Sequence, residues 1–244
     1  MKILVVNVNT TATMTDAIAR SARSVASPGT EIIGLTPAFG AESVEGNFES
    51  YLAAVGVMDA VSRYDGDYDA VVQAGFGEHG REGLQELCNV PVVDITDAAG
   101  HVASLLGHKY SVVTTLDRTV PLIEDRLKLA GLDARCASVR SSGLSVLELE
   151  ERPEDAVKAI VAEAELAVTQ DGAEVICLGC GGMAGLDEAV GAATSVPVVD
   201  GVTAAVKLAE ALIGLGLTTS KTRTFATPRH KRISGWPMSP RTDR

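Results

Sequence analysis

Short apolar runs alternate with longer stretches of helical spacing along the whole chain. The runs cover residues 3–7, 31–35, 70–74, 90–95, 111–115, 135–139, 175–179 and 196–200, and most are bounded by Gly, Asn or Thr. Between them, residues 52–64, 119–130, 153–171 and 203–214 bring Ala, Leu and Val back every three to four positions, the period of a helix with one buried face. Strands that are apolar throughout must be covered on both sides, so the pattern predicts parallel sheets flanked by helices.

The pattern also repeats. Residues 69–94 read Asp-Ala-Val-Val-Gln-Ala-Gly75-Phe-Gly, a short helical stretch, then Val-Pro-Val-Val-Asp94. Residues 173–200 read Ala-Glu-Val-Ile-Cys-Leu-Gly-Cys180-Gly-Gly, a helical stretch, then Val-Pro-Val-Val-Asp200. Lys2-Ile-Leu-Val-Val-Asn7 has its echo in Lys109-Tyr-Ser-Val-Val-Thr114. The eight runs therefore divide into two groups of four. The predicted fold is α/β, with two pseudo-symmetric flavodoxin-like lobes, each a four-stranded parallel sheet flanked by helices. Residues 1–107 form the first lobe, packed with the C-terminal segment 203–244, and residues 108–202 form the second. Ligands bind such sheets beyond the carboxyl ends of the strands. Residues 7–11, 75–80, 114–117 and 180–182 are thus expected to line one cleft, with Gly75 and Cys180 at nearly equivalent positions.

At 244 residues with 46% hydrophobic positions, the chain can bury a large core. No apolar run approaches the roughly 20 residues of a membrane helix, and a strand begins at once with no charged-then-apolar leader. The expected location is the cytoplasm, away from membranes. The net charge is −11, but from Leu217 onward seven Lys and Arg face a single Asp243, which leaves −17 on the rest. A body this acidic argues against nucleic acid as a partner. The basic tail, with Gly235, Pro237 and Pro240, reads as extended chain docked on the acidic body or on a neighbouring subunit.

Several motifs could carry chemistry. Cys177-Leu-Gly-Cys180 has the Cys-x-x-Cys form but lacks the second pair that a zinc site needs. Cys88, Cys136 and Cys177 read as structural thiols. The four histidines, 79, 101, 108 and 230, form no spaced cluster, so no metal is expected, and His79 reads as a surface residue of the cleft loop. Gly75-Phe-Gly77-Glu-His-Gly80 fits Gly-x-Gly-x-x-Gly, with Asp94 19 residues after Gly75, and a nucleotide-binding protein is one reading. The helix after Gly80 is too short for a normal βαβ unit, and Asp94 has a twin in Asp200. Cys180 enters a helix at a strand end, where the helix N-terminus should lower its pKa, while Gly181 and Gly182 allow close backbone approach. Asn7-Val-Asn9-Thr-Thr-Ala-Thr13 supplies amide and hydroxyl groups, with Thr13 or Thr15 as a helix cap. Thr114-Thr115 recurs at the matching place.

Taken together, these residues resemble the aspartate/glutamate racemase superfamily, and within it the hydantoin racemases. The resemblance rests on Lys2-Ile-Leu-Val-Val-Asn-Val-Asn-Thr, Met14-Thr15, Ala74-Gly-Phe-Gly-Glu-His-Gly, Val113-Thr-Thr, Leu178-Gly-Cys-Gly-Gly-Met183, Pro197-Val-Val-Asp200 and Thr219-Ser-Lys221. It covers essentially the whole chain. It implies a cofactor-independent, homo-oligomeric isomerase acting on 5-monosubstituted hydantoins or allantoin, with one cysteine on each face of the acidic carbon. Cys180 matches the second cysteine. The first falls on Gly75, and the proline of the family's Asn-Pro-Asn-Thr loop falls on Val8. Two-base racemisation needs a group that takes a proton and an opposed one that delivers another, and glycine does neither, so impaired racemisation is expected. The resemblance places backbone N–H groups of Phe76, Gly77, Gly181 and Gly182 on imide carbonyls with Asn9, Thr114 and Thr115, and Val44 and Phe76 at the substrate side chain. A one-cysteine decarboxylase or lyase of the superfamily is the alternative. The arylmalonate decarboxylases keep only the second cysteine but follow the glycine with hydroxyl donors, where this chain has Phe76-Gly77.

Overall fold

The apolar runs form eight strands in a computed structural model that describes residues 1–233. In the first half, β1 (Lys2–Val6), β2 (Glu31–Leu35), β3 (Ala70–Gln73) and β4 (Val92–Asp94) make a parallel sheet in the order β2-β1-β3-β4. In the second, β5 (Tyr110–Thr114), β6 (Cys136–Ser141), β7 (Val175–Leu178) and β8 (Val198–Asp200) make another in the matching order β6-β5-β7-β8. Of the inner strands, β3, β5 and β7 are buried along their whole length and β1 from Ile3 onward, which is why they read as apolar runs. β6 departs from expectation. Residue 135 ends a 3-10 turn, and the strand runs on to Ser141. As a half-buried edge strand carrying Ser138, Arg140 and Ser141, it lacks the apolar signal that marks the others.

Nine helices cover the sheets within the described residues: α1 (Ala12–Val25), α2 (Asn47–Arg63), α3 (Arg81–Leu87), α4 (Ile95–Leu106), α5 (Val120–Ala130), α6 (Val146–Glu151), α7 (Pro153–Gln170), α8 (Asp187–Thr194) and α9 (Gly201–Gly214). The four stretches of helical spacing lie in α2, α5, α7 and α9, with α2 starting at Asn47 rather than at 52. None is long and apolar enough to cross a membrane.

The repeated Val-Pro-Val-Val-Asp now has a physical meaning: a short buried strand followed by a helix cap. Asp94 Oδ1 accepts the N–H groups of Thr96 (2.7 Å) and Asp97 (2.8 Å) at the start of α4. Asp200 Oδ1 accepts those of Val202 (2.7 Å) and Thr203 (3.4 Å) at the start of α9. A carboxylate there answers both the unpaired amides and the helix dipole. α4 and α9 pack together, so closely at their first turns that a Cβ on Gly201 would lie 2.6 Å from the Ile95 carbonyl. Glycine at 201 permits that approach.

α9 also packs on α1, β3 and β4. Its Glu210 accepts from Ser27 N (2.7 Å), Ser27 Oγ (2.8 Å) and Thr30 Oγ1 (2.7 Å), pinning the helix to the α1–β2 connection. Beyond α9 the basic segment docks on the body of its own chain. Thr219 donates to the Val90 carbonyl (2.8 Å), and Lys221 Nζ to those of Gln85 (2.6 Å) and Glu86 (3.0 Å). Gly235, Pro237, Pro240, Arg241, Asp243 and Arg244 lie outside the described residues.

Candidate active site

The carboxyl ends of both sheets open on one cleft of about 490 Å³, mouth included. The first half contributes Asn7, Val8 and Asn9 after β1, and Ala74, Gly75, Phe76 and His79 after β3. The second contributes Thr114, Thr115 and Thr119 around the end of β5, and Gly179, Cys180, Gly181 and Gly182 after β7. Met14, Ile18, Val44 and Val146 close the sides. The two halves meet directly here, since a Cβ on Gly181 would stand 2.7 Å from the Ala74 carbonyl oxygen. Gly75 and Cys180 thus share one cleft, as the repeat predicts.

The surroundings of Cys180 differ from expectation. The chain after it makes only a three-residue 3-10 turn, Gly181–Met183, too short to carry an appreciable helix dipole. Burial pushes the thiol up to about 11, against the lowering effect of the Gly182 N–H, while the carboxylate of Glu45 pushes the same way as burial. That N–H points at Sγ from 3.4 Å. At neutral pH Cys180 is a thiol that holds a proton to give, and its conjugate thiolate is a strong base with one hydrogen-bond donor in place.

The loop after β1 is organised by Asn7, fully buried. Its Nδ2 donates to Asn9 Oδ1 (2.8 Å), Thr15 Oγ1 (3.1 Å) and the Thr11 carbonyl (3.2 Å), and its Oδ1 accepts the Val8 N–H (2.7 Å). Asn9 Oδ1 is further committed to the Thr11 N–H (3.0 Å), whereas its Nδ2 has only the soft Met14 sulfur at 3.2 Å. The Asn9 amide hydrogens are therefore the part of this loop that a bound carbonyl can win. Neither Thr13 nor Thr15 caps α1. Thr11 occupies the cap position without a side-chain bond to the helix, its hydroxyl donating to the Glu42 carbonyl, and Thr15 is held by Asn7 and Thr36 instead.

Thr114 and Thr115 are buried at the cleft, and the Thr114 hydroxyl donates to the Gly179 carbonyl at 3.2 Å. Val44 lies at the mouth beside Val146, whose N–H donates to Glu45 (3.0 Å) and ties the first-half loop across to α6. Gly77 falls outside the cleft lining. Its N–H donates to Thr96 Oγ1 (2.9 Å), so it is not available to a ligand carbonyl. Gly77 (φ +133°) and Gly80 (φ +87°) take left-handed backbone, which is the reason the loop needs glycine there. With Asp94 spent as a helix cap, the dinucleotide reading of Gly75–Gly80 loses both of its carrying features.

Gly75 itself is not in the left-handed region. It is glycine for want of room, because a Cβ would collide with Val8 Cγ1 and stand 2.5 Å from His79 Cδ2 and 2.9 Å from Val8 Cγ2. Gly75→Cys alone is therefore expected to destabilise the fold by about 1–3 kcal/mol through overpacking. Adding Val8→Ala should recover most of that loss. Denaturant melts of the two variants check this, and a Gly75→Cys protein as stable as the parent would mean that Val8 yields freely.

His79 is not the surface residue that the sequence reading expects. It is 6% exposed, it lines the cleft, and its Nδ1 is buried without a hydrogen-bond partner among the described residues. Burial pushes its pKa down to about 4, although the Phe76 backbone and Asp94 favour the cation. The imidazole is thus neutral at pH 7.

Behind this loop stands a buried ion network. Arg126 of α5 is 1% exposed and reaches from the second half into the first. It pairs with Asp94 (2.7 Å), Glu82 (3.0 Å), Asp97 (3.1 Å) and Glu78 (3.1 Å), and Arg81 pairs with Glu82 (2.6 Å), Asp94 (3.4 Å) and Asp97. Burial works against the Glu82 carboxylate, but Arg81 and Arg126 outweigh it and hold the group at about 2. Glu78 directly precedes His79, so Arg126 anchors the loop that bears the imidazole. Among the described residues no group of three His, Cys, Asp or Glu is arranged to hold a metal ion.

The model of the family described as Asp/Glu/Hydantoin racemase matches residues 3–209. The chain belongs to this family. It is 41% identical over 236 residues to a hydantoin racemase of Rhizobium meliloti, covering 96% of this chain and 98% of that protein. The crystal structure of an allantoin racemase from Pseudomonas fluorescens superposes with a TM-score of 0.95 at 74% identity, covering 96% of this chain and all of the other. An allantoin racemase from Klebsiella pneumoniae gives 0.93 at 40% identity, with 96% of both chains covered. This racemase-family enzyme is therefore an isomerase, and its two-sheet fold is that of solved racemases.

Proposed function

We propose that this enzyme moves the acidic proton at C5 of 5-monosubstituted hydantoins or of allantoin, without a cofactor, using Cys180 as acid/base on one face of the ring. The carrying observation is the placement of Cys180: a half-buried thiol on the wall of the inter-sheet cleft, with the Gly182 N–H on its sulfur. Removing the C5 proton leaves an enolate, and neighbouring donors then bear its charge. Asn9 Nδ2 and the N–H groups of Phe76 and Gly181 are the donors assigned to the imide carbonyls, the Gly182 N–H being held by the Cys180 sulfur, and Thr114 and Thr115 line the floor. Val44 and Phe76 bound the substituent at C5. With Gly75 and Val8 on the first-half wall, no second thiol is present, so racemisation by two thiols is impaired. The reading includes a homo-oligomer at work in the cytoplasm, with lobes of residues 1–107 and 108–202 clasping the small molecule.

The test incubates the enzyme in D₂O with single enantiomers of 5-monosubstituted hydantoins and of allantoin and follows the C5–H signal by NMR. Parallel samples hold an arylmalonate, assayed for CO₂, and NADH, titrated by fluorescence. Deuterium entering C5 supports the proposal. Decarboxylation without exchange would install the lyase reading, and tight NADH binding the nucleotide one.

A further inference from the structure

We infer that a second chamber beside the cleft receives the C5 substituent and selects substituents ending in N–H donors, ureido or amino, over alkyl ones of the same length. The inference rests on the C5 proton chemistry proposed above and names the substrate class within it. The chamber lies between the start of α2 and α5 and measures about 730 Å³, mouth included. Val44, Phe76, His79 and Thr119 line both this chamber and the cleft that carries Cys180. The two spaces therefore meet along Val44 and Phe76, the residues assigned above to the substituent. A group longer than a methyl on C5 extends into the chamber.

The walls set the chemistry. Leu122, Ile123 and Leu129 of α5 and Tyr51 of α2 give an apolar surface, and the exposed Tyr51 and Leu129 are available for a substituent to cover. The charged groups of the lining are Glu45, Glu78 and Asp125 against Arg126. Arg126 is 1% exposed and already pairs with four carboxylates, so it has little to offer a ligand. Arg118 lies against Gly46 but is not part of the lining. The Glu78 carboxylate stays partly open to solvent beyond its Arg126 pair. Glu45 gives one oxygen to the Val146 N–H at 3.0 Å, and its other oxygen has no partner among the described residues. The Glu45 charge acts on the Cys180 thiol, which puts this acceptor within reach of a short substituent. The charged oxygens open to the chamber are all acceptors, and they bind N–H donors.

His79 points the same way independently. It is 6% exposed and lines both spaces, and its Nδ1 is buried with no partner among the described residues. Such an atom costs free energy unless a ligand uses it. The ring is neutral at pH 7, so this nitrogen can accept an N–H from the substituent.

The test measures kcat/KM for loss of C5–H in D₂O with 5-methyl-, 5-butyl- and 5-(4-aminobutyl)hydantoin and with allantoin. Each value is divided by the buffer-catalysed rate of the same compound, which removes differences in C5 acidity. Allantoin and the aminobutyl compound should each exceed the butyl compound by about tenfold, the worth of one hydrogen bond to a charged group. Salt at about 0.5 M should depress the aminobutyl value alone, because only that end is charged. Glu45→Gln should cut both preferences by about threefold, since a neutral acceptor binds N–H more weakly than a carboxylate. Leu122→Trp, which fills the chamber, should lower every longer substituent relative to methyl. All these readouts are ratios between substrates of one protein, so a general loss of folded enzyme does not imitate them. A butyl compound that matches both donors in the parent, with C5 exchange intact, would overturn the inference and leave the Cys180 chemistry standing. So would ratios that stay unchanged in Leu122→Trp. A parent that exchanges none of the four would remove the C5 reading and this inference with it.

Discussion

Replacing Cys180 by alanine is expected to slow C5 proton exchange and inversion by at least about 10²–10⁴-fold, the usual contribution of a positioned acid/base. The fold should be retained, because Sγ is half-buried at a cleft wall and its contacts are backbone N–H groups of the turn that follows it. Cys180→Ser should be nearly as slow. An alcohol is a far weaker acid than a thiol, so serine neither forms a useful base at neutral pH nor releases its proton as readily. Exchange rates for both enantiomers, with denaturant melts alongside, check the result. Parental rates in the alanine variant would mean that another group takes the proton on this face.

The second large effect is structural. Arg126→Met should destabilise the protein by about 3–5 kcal/mol, the typical cost of removing one partner from a buried ion network. Asp94, fully buried, would lose its 2.7 Å partner, and burial already pushes its pKa up despite the two arginines. The loss should be far greater than for Arg152→Met, whose pair with Glu148 lies at the surface and is screened by solvent. Because Arg126 on α5 joins the second sheet's helices to the β3 and β4 loops, its removal should also loosen Glu78 and His79. Urea unfolding of the two variants makes the comparison. Equal losses would show that the network is solvated rather than buried.

Much of the fold was legible because each buried strand must be apolar on both faces, and every strand but the half-buried β6 carries that signal. The matched halves were legible from Val-Pro-Val-Val-Asp, although the work of its aspartate as a helix cap shows only once Thr96 and Val202 stand above the carboxylates. Cys180 and most of its neighbours could be placed from the rule that ligands bind at strand ends. Burial was less accessible. Nothing in Glu-His-Gly says that His79 turns inward, since the loop direction is set by left-handed Gly77 and Gly80 and by the Thr96 hydroxyl 19 residues away from Gly77. The same blindness reversed the expected pKa shift of Cys180, because the short turn after it has little dipole to set against burial. The Arg126 network joins residues 29 to 48 positions apart, beyond any local pattern. Val8 reads as a lost proline in sequence. In space it is the wall that fills the site of a Gly75 side chain.

The claim at the centre of this account, that the Cys180 thiolate takes the C5 proton on its face, is tested most directly by the pH dependence of exchange. Each enantiomer is dissolved in D₂O buffers from pH 6 to 11, and loss of its C5–H is timed for the parent and for Cys180→Ser. For one enantiomer the enzyme-dependent rate should rise about tenfold per pH unit, as a thiolate population must below its pKa, and level off near 11, where the buried thiol titrates. In Cys180→Ser that dependence should vanish. A rate for both enantiomers that is flat across this range, or one that keeps its slope in the serine variant, would contradict the account.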